Sequence, residues 1–437
     1  MDFTLTMEQQ LTRAMVRKFA NDYVAPIAAQ IDREHRFPKE TVERMGRSGL
    51  LGIPYPKEYG GAGLDQLSYT IAVEELSKAC ATTGVICSSH TSLCCWPIFE
   101  YGTRMQKDKY LRPLASGEKL GAFALTEPNA GTDAGCQETT AVRTESGYVL
   151  NGGKLFITNG ARADYYVVFA MTDREKKTKG ISAFIVEKGM PGFSVGREEN
   201  KMGICASSTT TLRFQNCVIP LDNLIGKEGD GFKIAMTTLD GGKIGIAAQA
   251  LGIAEAAFEN CVNHMQTRKQ FGKKLSQMQA LQFETADMKT RIEASKLLTY
   301  QAAAAKEKGE KLSAKAAMAK LFAAETAMYV TTKALQFAGG YGYTKELPFE
   351  RFMRDAKITE IYEGTSEVQK MVISGETAPR TPRPTVPRTP RRTAPRTPRP
   401  PRRPAPPIPP PAPPAPPRRT PRRRRPRRAT PTSASCR

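Results

Sequence analysis

Between Leu120 and Phe214 the chain changes its hydrophobic period, and that change limits the folds open to it. Tyr148-Val149-Leu150, Tyr165–Phe169, Ile181–Val186 and Thr210–Phe214 are short runs rich in β-branched and aromatic residues, bounded by Gly, Asn, Asp and Pro. That is the pattern of a small antiparallel β domain. On both sides the period is helical. Thr6 and Gln9 form a capping-box pair, after which Leu11, Met15, Phe19 and Val24 recur near the ~3.6-residue helical repeat. Further helical patterns fall around Lys39–Gly49 and Leu67–Cys80. The Gly60-Gly61-Ala62-Gly63 loop between them lacks the third glycine of a dinucleotide fingerprint, so it reads as a connector. After Gly229 longer helices are predicted over Lys243–Gln266, Leu281–Lys308, Ala314–Phe337 and Ser366–Ser374. The fold class is therefore α+β, with an N-terminal helical domain (1–118), a middle β domain (119–228) and a C-terminal helical domain (229–375).

The remaining segment, Glu376–Arg437, holds 18 Arg and one acidic residue, so the body keeps only +5 of the chain's net +22. Its Arg, Pro and Thr offer too little apolar surface to offset the entropy of ordering, which predicts a disordered tail with polyproline-II character. Any nucleic-acid binding through it is expected to be nonspecific, because no aromatic residue is there to stack on bases. Its abrupt onset reads as out-of-frame translation or an assembly artefact rather than a functional extension. Met1–Asn21 has no cationic stretch leading into a long apolar run, and no segment approaches ~18 uninterrupted apolar residues. With nine scattered cysteines, this predicts a cytoplasmic protein with buried free thiols and no membrane association. His90, Cys94 and Cys95 lack a second ligand pair at a usable spacing, so no metal is expected.

One short stretch carries a chemical suggestion. In Ile361–Glu367, Ser366 followed by Gln369 reads as a capping box that starts a helix, and Gly364 permits a tight turn just ahead of it. Glu363 is thereby placed on the turn, at the mouth of a helix in an apolar neighbourhood. A carboxylate there suits a general base, although an acid near a helix N-terminus is also favoured by the dipole alone.

Tyr362-Glu363-Gly364-Thr365, with Arg354-Asp355-Ala356 ahead and Val372-Ile373-Ser374 behind, resembles the C-terminal signature of the acyl-CoA dehydrogenases. Thr126–Asp133, Phe156–Gly160, Arg268–Gly272 and Gln336–Gly340 resemble four further blocks in the family's order and spacing. The resemblance runs from Met1 to about Gly375 and is closest to the short-chain, butyryl-CoA branch. It implies FAD-dependent conversion of a short-chain acyl-CoA to its trans-2-enoyl form. Glu363 would take the α-proton, FAD N5 the β-hydride, and an electron-transferring flavoprotein the electrons; the alternative is a same-fold acyl-CoA oxidase that passes them to oxygen directly.

The resemblance also assigns residues. Cofactor contacts are implied for Phe123, Leu125, Thr126, Gly131, Thr132, Phe156, Ile157, Thr158, Arg268, Gln270, Phe271, Gln279, Gln336, Gly339, Gly340, Thr365 and Glu367. Substrate contacts are implied for Thr132, Asp240, Lys243, Tyr362 and Gly364. Arg268 and its neighbours would reach the cofactor of another subunit, in a homotetramer. Other branches of the family carry the base at the position of Gly242, which has no carboxylate to offer. Lys243, Cys205 and Thr211 depart from the family pattern, where Arg, Arg and Glu are usual.

Overall fold

The computed structural model describes residues 4–377, and the tail reading lies outside the described residues apart from its first two positions. Helix α1 (Met7–Phe19) starts where the capping pair predicts. Thr6 Oγ1 accepts from the Gln9 N–H at 3.2 Å, and Gln9 Oε1 accepts from the Thr6 N–H at 3.0 Å. Helices α2 (Ala25–Glu34), α3 (Lys39–Arg47), α4 (Gln66–Ala79) and α5 (Ala81–Ser88) follow. They close over a core that includes Val16, Val24, Ile31, Met45, Val73 and Leu76. A π-helical stretch, Ser89–Cys95, then leads into α6 (Trp96–Tyr101), α7 (Arg104–Gln106) and α8 (Arg112–Ala115). Wide turns and the prolines near the starts of α6 and α8 break the helical repeat. Periodicity therefore gave no reading of this stretch.

The middle sheet has strands β1 (Gly121–Ala124), β2 (Thr140–Arg143), β3 (Gly147–Thr158), β4 (Tyr165–Met171), β5 (Ile181–Glu187), β6 (Phe193–Glu198), β7 (Thr209–Pro220) and β8 (Leu224–Ile225). Their order is β6-β7-β3-β2-β4-β5-β8, with β1 added beside β4. Strands β4 and β5 read as continuous apolar runs because both their faces are covered. Tyr166, Val168 and Ala170 turn to one core, while Val167, Phe169 and Met171 turn to the other. Antiparallel pairing dominates, but β1 and β2 meet β4 in parallel. The sheet is therefore mixed at that point, because the chain reaches β4 only after the β2–β3 hairpin.

The C-terminal region is built on α9 (Gly231–Thr267), α10 (Gln279–Glu307) and α11 (Ser313–Ala338), with a small hairpin of β9 (Lys269–Gln270) and β10 (Lys273–Lys274) between the first two. Short α12 (Gly340–Tyr343), α13 (Phe349–Lys357) and α14 (Ser366–Thr377) complete it. Helix α9 begins twelve residues ahead of the Lys243 start expected from sequence. Gly241 and Gly242 look like breaks, but tertiary packing carries the helix through them. Arg354 ties this region to the first helices through Asp32 at 2.7 Å, and it also binds Glu350 at 2.6 Å.

Candidate active site

Glu363 and Gly364, just ahead of α14, take φ of 52° and 92°. Glycine accepts that conformation freely, whereas for a glutamate it costs of order 1–3 kcal/mol and persists only when the surroundings impose it. Lys320 Nζ from α11 and Gln369 Nε2 from α14 both donate to the Gly364 carbonyl, each at 2.8 Å. The expected Ser366 cap is not what forms. Thr365 Oγ1 accepts from the Val368 N–H at 3.3 Å, and the buried Ser366 hydroxyl has no partner among the described residues. The left-handed turn leaves the Gly364 carbonyl in need of donors, so Gln369 serves it instead of reaching back to a cap N–H. The cap moves one residue earlier as a result.

Glu363 Oε2 is enclosed and has no hydrogen-bond partner among the described residues. Its nearest wall is Gly242 of α9, where an added Cβ would lie 2.4 Å from Oε2 and 2.6 Å from Leu93 Cδ2. The glycine therefore keeps open the space in which the carboxylate ends. Burial pushes the Glu363 carboxyl up to about 8, against the downward pull of Lys320 and Lys243. For Lys320, which is fully buried, burial lowers the ammonium to about 8.

Of the residues expected around a substrate, Asp240 and Lys243 lie on α9 and Tyr362 and Gly364 on the turn ahead of α14, while Thr132 lies on the loop after β1. Lys243 Nζ donates to Asp240 Oδ1 at 2.7 Å, and Asp240 Oδ2 accepts from the Ser313 hydroxyl. The Tyr362 hydroxyl donates to Gln249 Oε1, whose Nε2 donates to the Ala81 carbonyl at 3.0 Å.

A second part of the site lies on the β domain. The Leu125–Thr132 loop is held from below by Lys154, which donates to Leu125 O at 3.2 Å, Glu127 Oε1 at 2.6 Å and Gln137 Oε1 at 2.6 Å. Glu127 Oε2 in turn accepts from the Glu138 and Thr139 N–H groups at 2.5 and 3.2 Å. Above this network Leu155 N–H donates to Thr126 O at 2.8 Å. An irregular register between Lys154 and Ile157 lifts Phe156, with φ 58°, out of the sheet so that the residue is 59% exposed. The hydroxyls of Thr126, Thr132 and Thr158 have no hydrogen-bond partner among the described residues, and Gly131 leaves open space above it. An exposed aromatic beside three free hydroxyls and an open loop suits a flat heteroaromatic ring with a polar edge, so these residues fit a flavin. Phe123 is different, because its side chain packs into the core against Phe169 with centroids 5.0 Å apart. Leu125 and Ile157 are buried too, so their side chains do not line the open face of the shelf.

The other expected cofactor residues lie apart from this shelf. Arg268 stacks over Tyr341 at 5.3 Å, which brings the β9–β10 hairpin beside the end of α11. Arg268, Gln270, Phe271, Gln279, Gln336, Gly339 and Gly340 are all exposed there, Phe271 at 94%. Glu367 is exposed on the first turn of α14, beyond the cap residue Thr365. His90 is occupied by the backbone. Its Nδ1 accepts from the Gly121 N–H at 2.9 Å, its Nε2 lies 3.1 Å from Leu114 O, and burial lowers it to about 4. Among the described residues no group of three potential ligands could hold a metal ion, and the eight described cysteines are free thiols. Cys205 lies against the Arg354–Asp32 pair, 3.7 Å from Arg354 Nη1, while Thr211 packs over Gly196.

Sequence reasoning missed Lys154, Lys320 and Gln249, and it read Gln369 as a capping partner rather than a donor to the Gly364 carbonyl. For Lys320 a signal existed, because it shares the inward stripe of α11 with Ala316, Ala323 and Ala327. A lysine on an alanine-rich buried stripe needs a partner.

Family comparison agrees with this architecture. Residues 6–118, 122–217 and 229–377 match the acyl-CoA dehydrogenase N-terminal, middle and C-terminal domains. The chain belongs to the acyl-CoA dehydrogenase family. It is 63% identical over 376 residues to a short-chain-specific acyl-CoA dehydrogenase of Clostridium acetobutylicum, covering 86% of this chain and 99% of that one. It superposes on butyryl-CoA dehydrogenase from Megasphaera elsdenii with a TM-score of 0.85 at 51% identity, covering 86% of this chain and all of the other. A chain from a structure described as the electron transferring flavoprotein of Acidaminococcus fermentans, concerned with flavin-based electron bifurcation, matches with a TM-score of 0.86 at 55% identity. That match covers 87% of this chain and 100% of that one.

Proposed function

We propose that Glu363 is the base of this enzyme, a short-chain acyl-CoA dehydrogenase that uses FAD and passes its electrons to an electron-transferring flavoprotein. The observation that carries the assignment is the enclosed, partnerless Oε2 held against Gly242, on a carboxyl whose proton affinity burial has raised. A weakly acidic α-carbon needs such a base, desolvated and aimed from a fixed turn. The Cα–H bond breaks, its proton goes to Glu363 Oε2, and its electron pair becomes the second bond of Cα=Cβ. FAD supplies an acceptor for the β-hydride, a role no side chain can fill. Asp240 holds Lys243 and Gln249 holds Tyr362, so both residues are oriented before a substrate arrives.

Glu363→Gln tests the assignment, since it keeps size and hydrogen-bonding reach but removes the proton acceptor. Turnover of butyryl-CoA is expected to fall at least ~10²-fold with flavin content unchanged. Retention of more than about a tenth of the rate would move the base elsewhere.

A homotetramer is part of the same reading. Arg268, Gln270, Phe271, Gln336, Gly339 and Gly340 form an exposed group away from the flavin shelf, with Tyr341 and Tyr343 exposed beside them. Exposed aromatics around an arginine suit a subunit contact and a neighbour's cofactor phosphates. Sedimentation at micromolar concentration tests it, with a monomer as the contrary result. No helix among the described residues is long and apolar enough to cross a membrane. The cytoplasmic assignment continues to rest on the sequence alone.

A further inference from the structure

Lys320 is fully buried on α11, and its one hydrogen bond among the described residues goes to the carbonyl of Gly364 at 2.8 Å. No carboxylate among them lies within ion-pair distance of its ammonium. Glu363, Glu360 and Glu367 act on it only through space. This is an unusual use of a buried lysine, because an ammonium in the interior normally has an ion partner. The contrast with Lys243 is direct, since that ammonium is bound to Asp240 at 2.7 Å and its charge is largely balanced there.

We propose that Lys320 is the positioning residue of the base turn: it pins the Gly364 carbonyl so that Glu363 keeps its left-handed conformation, and its uncompensated charge favours the proton-accepting carboxylate. The inference rests on the reading of Glu363 as the base. Geometry makes the lysine suited to both tasks. Its Nζ meets the turn on the residue directly after Glu363, and Gln369 supplies a second donor to the same carbonyl, so the peptide plane is fixed from two helices. The other groups facing the carboxyl are few. Helix α9 brings Lys243 with Asp240 attached, α4 brings the neutral Tyr69 phenol, and the turn itself brings Tyr362. Of the two cations, Lys320 is the stronger pull on Glu363. A neutral side chain at 320 would leave the desolvated carboxyl holding its proton to higher pH, and a protonated base cannot accept the substrate's proton.

The test compares Lys320→Met, Lys320→Gln and Lys320→Arg in the flavin-loaded enzyme. The protonated-carboxyl infrared band is titrated and assigned to Glu363 by its loss in Glu363→Gln. In Lys320→Met and Lys320→Gln the midpoint is expected to rise by about one unit or more, and the acid limb of kcat/KM to rise with it. Lys320→Arg keeps the charge and is expected to stay within about 0.3 unit of the wild type. Lys320→Gln, which still donates to Gly364, is expected to retain more turnover than Lys320→Met at a pH above both limbs. An unmoved midpoint in both neutral variants, alongside an inactive Glu363→Gln, would overturn the role of Lys320 and leave the base reading standing. Loss of flavin and of the folding transition in both neutral variants would also overturn it, since the lysine would then hold the fold rather than tune the base. A fully active Glu363→Gln would remove the base reading itself, and this inference with it.

Discussion

The two fully buried lysines among the described residues, Lys154 and Lys320, are used in opposite ways. Lys154 lies under the Leu125–Thr132 loop with a carboxylate and an amide oxygen each at 2.6 Å, and the carboxylate's other oxygen is taken by backbone N–H groups. Among the described residues Lys320 has a carbonyl and no carboxylate as partner, and the carboxyl it influences has an oxygen with no partner. Burial lowers both ammonium groups to about 8, so desolvation alone does not separate them. Partnering does. Within the Lys154–Glu127–Gln137 network the buried charges are paired and hydrogen-bonded, whereas at the base Glu363 Oε2 is left without a partner among the described residues.

The largest effect that could break this comparison is expected at the shelf. Lys154→Met leaves Glu127 buried without its counter-charge, at a cost of about 3 kcal/mol or more, together with loss of flavin. Adding Glu127→Gln to Lys154→Met should recover part of that stability, because no charge is then stranded. Urea unfolding of the wild type, Lys154→Met, Glu127→Gln and the double variant decides it, and an additive double mutant would mean the network is not a unit.

Gly242→Ala examines the other region. Its methyl carbon would stand 2.4 Å from Glu363 Oε2, so the carboxylate or α9 must shift. A loss of at least ~10-fold in kcat is expected from a misplacement on the ångström scale, with flavin absorbance preserved. Unchanged kcat would show that Glu363 has freedom to move aside.

The two carboxyls also differ in the sign of their pH dependence. Burial pushes Glu127 up, but Lys154 and the backbone donors pull it further down, so its folded value is below the ordinary one. Its contribution to stability is present above the ordinary carboxylate range and is lost as pH falls through the depressed value. Glu363 is raised, to about 8. Its neutral form is compatible with folding at low pH, and stability is lost as pH rises from the ordinary range, near 4.5, through about 8. Glu363→Gln should therefore raise the melting temperature by a few degrees at pH 8 and hardly at all at pH 4. A gain of the same size at both values would mean that packing, not charge, is responsible.

The smallest effect concerns the cap of α14. Thr365→Ala is expected to cost about 1 kcal/mol, whereas Ser366→Ala should be neutral or slightly stabilising, because its hydroxyl is buried without a partner. The reverse order in thermal melts would restore the cap position expected from sequence.

Much of the architecture was legible because it rests on local chemistry. The Thr6–Gln9 pair fixes where α1 begins, and strand texture marks β4 and β5, since both depend on neighbours a few residues apart. The start of α9 was not legible. Glycine lowers helix propensity wherever it stands, and only the approach of Glu363 and Leu93 explains why Gly242 lies inside a helix. Phe123 was named among the cofactor contacts, yet its side chain belongs to the core, because strand alternation turns it toward Phe169.

By itself the sequence determined the helix–sheet–helix order, the place of Glu363 on a turn ahead of a helix and, through family resemblance, its expected role as the base. Those properties follow from periodicity, turn residues and motif spacing, which act along the chain. Tertiary structure decided the rest. It brought Gly242 against Glu363, Lys320 against Gly364 and Lys154 beneath Glu127, and it fixed which buried charge is paired and which is not. Proton affinity depends on distance and desolvation between residues far apart in sequence, and only the packed helices and sheet set those quantities.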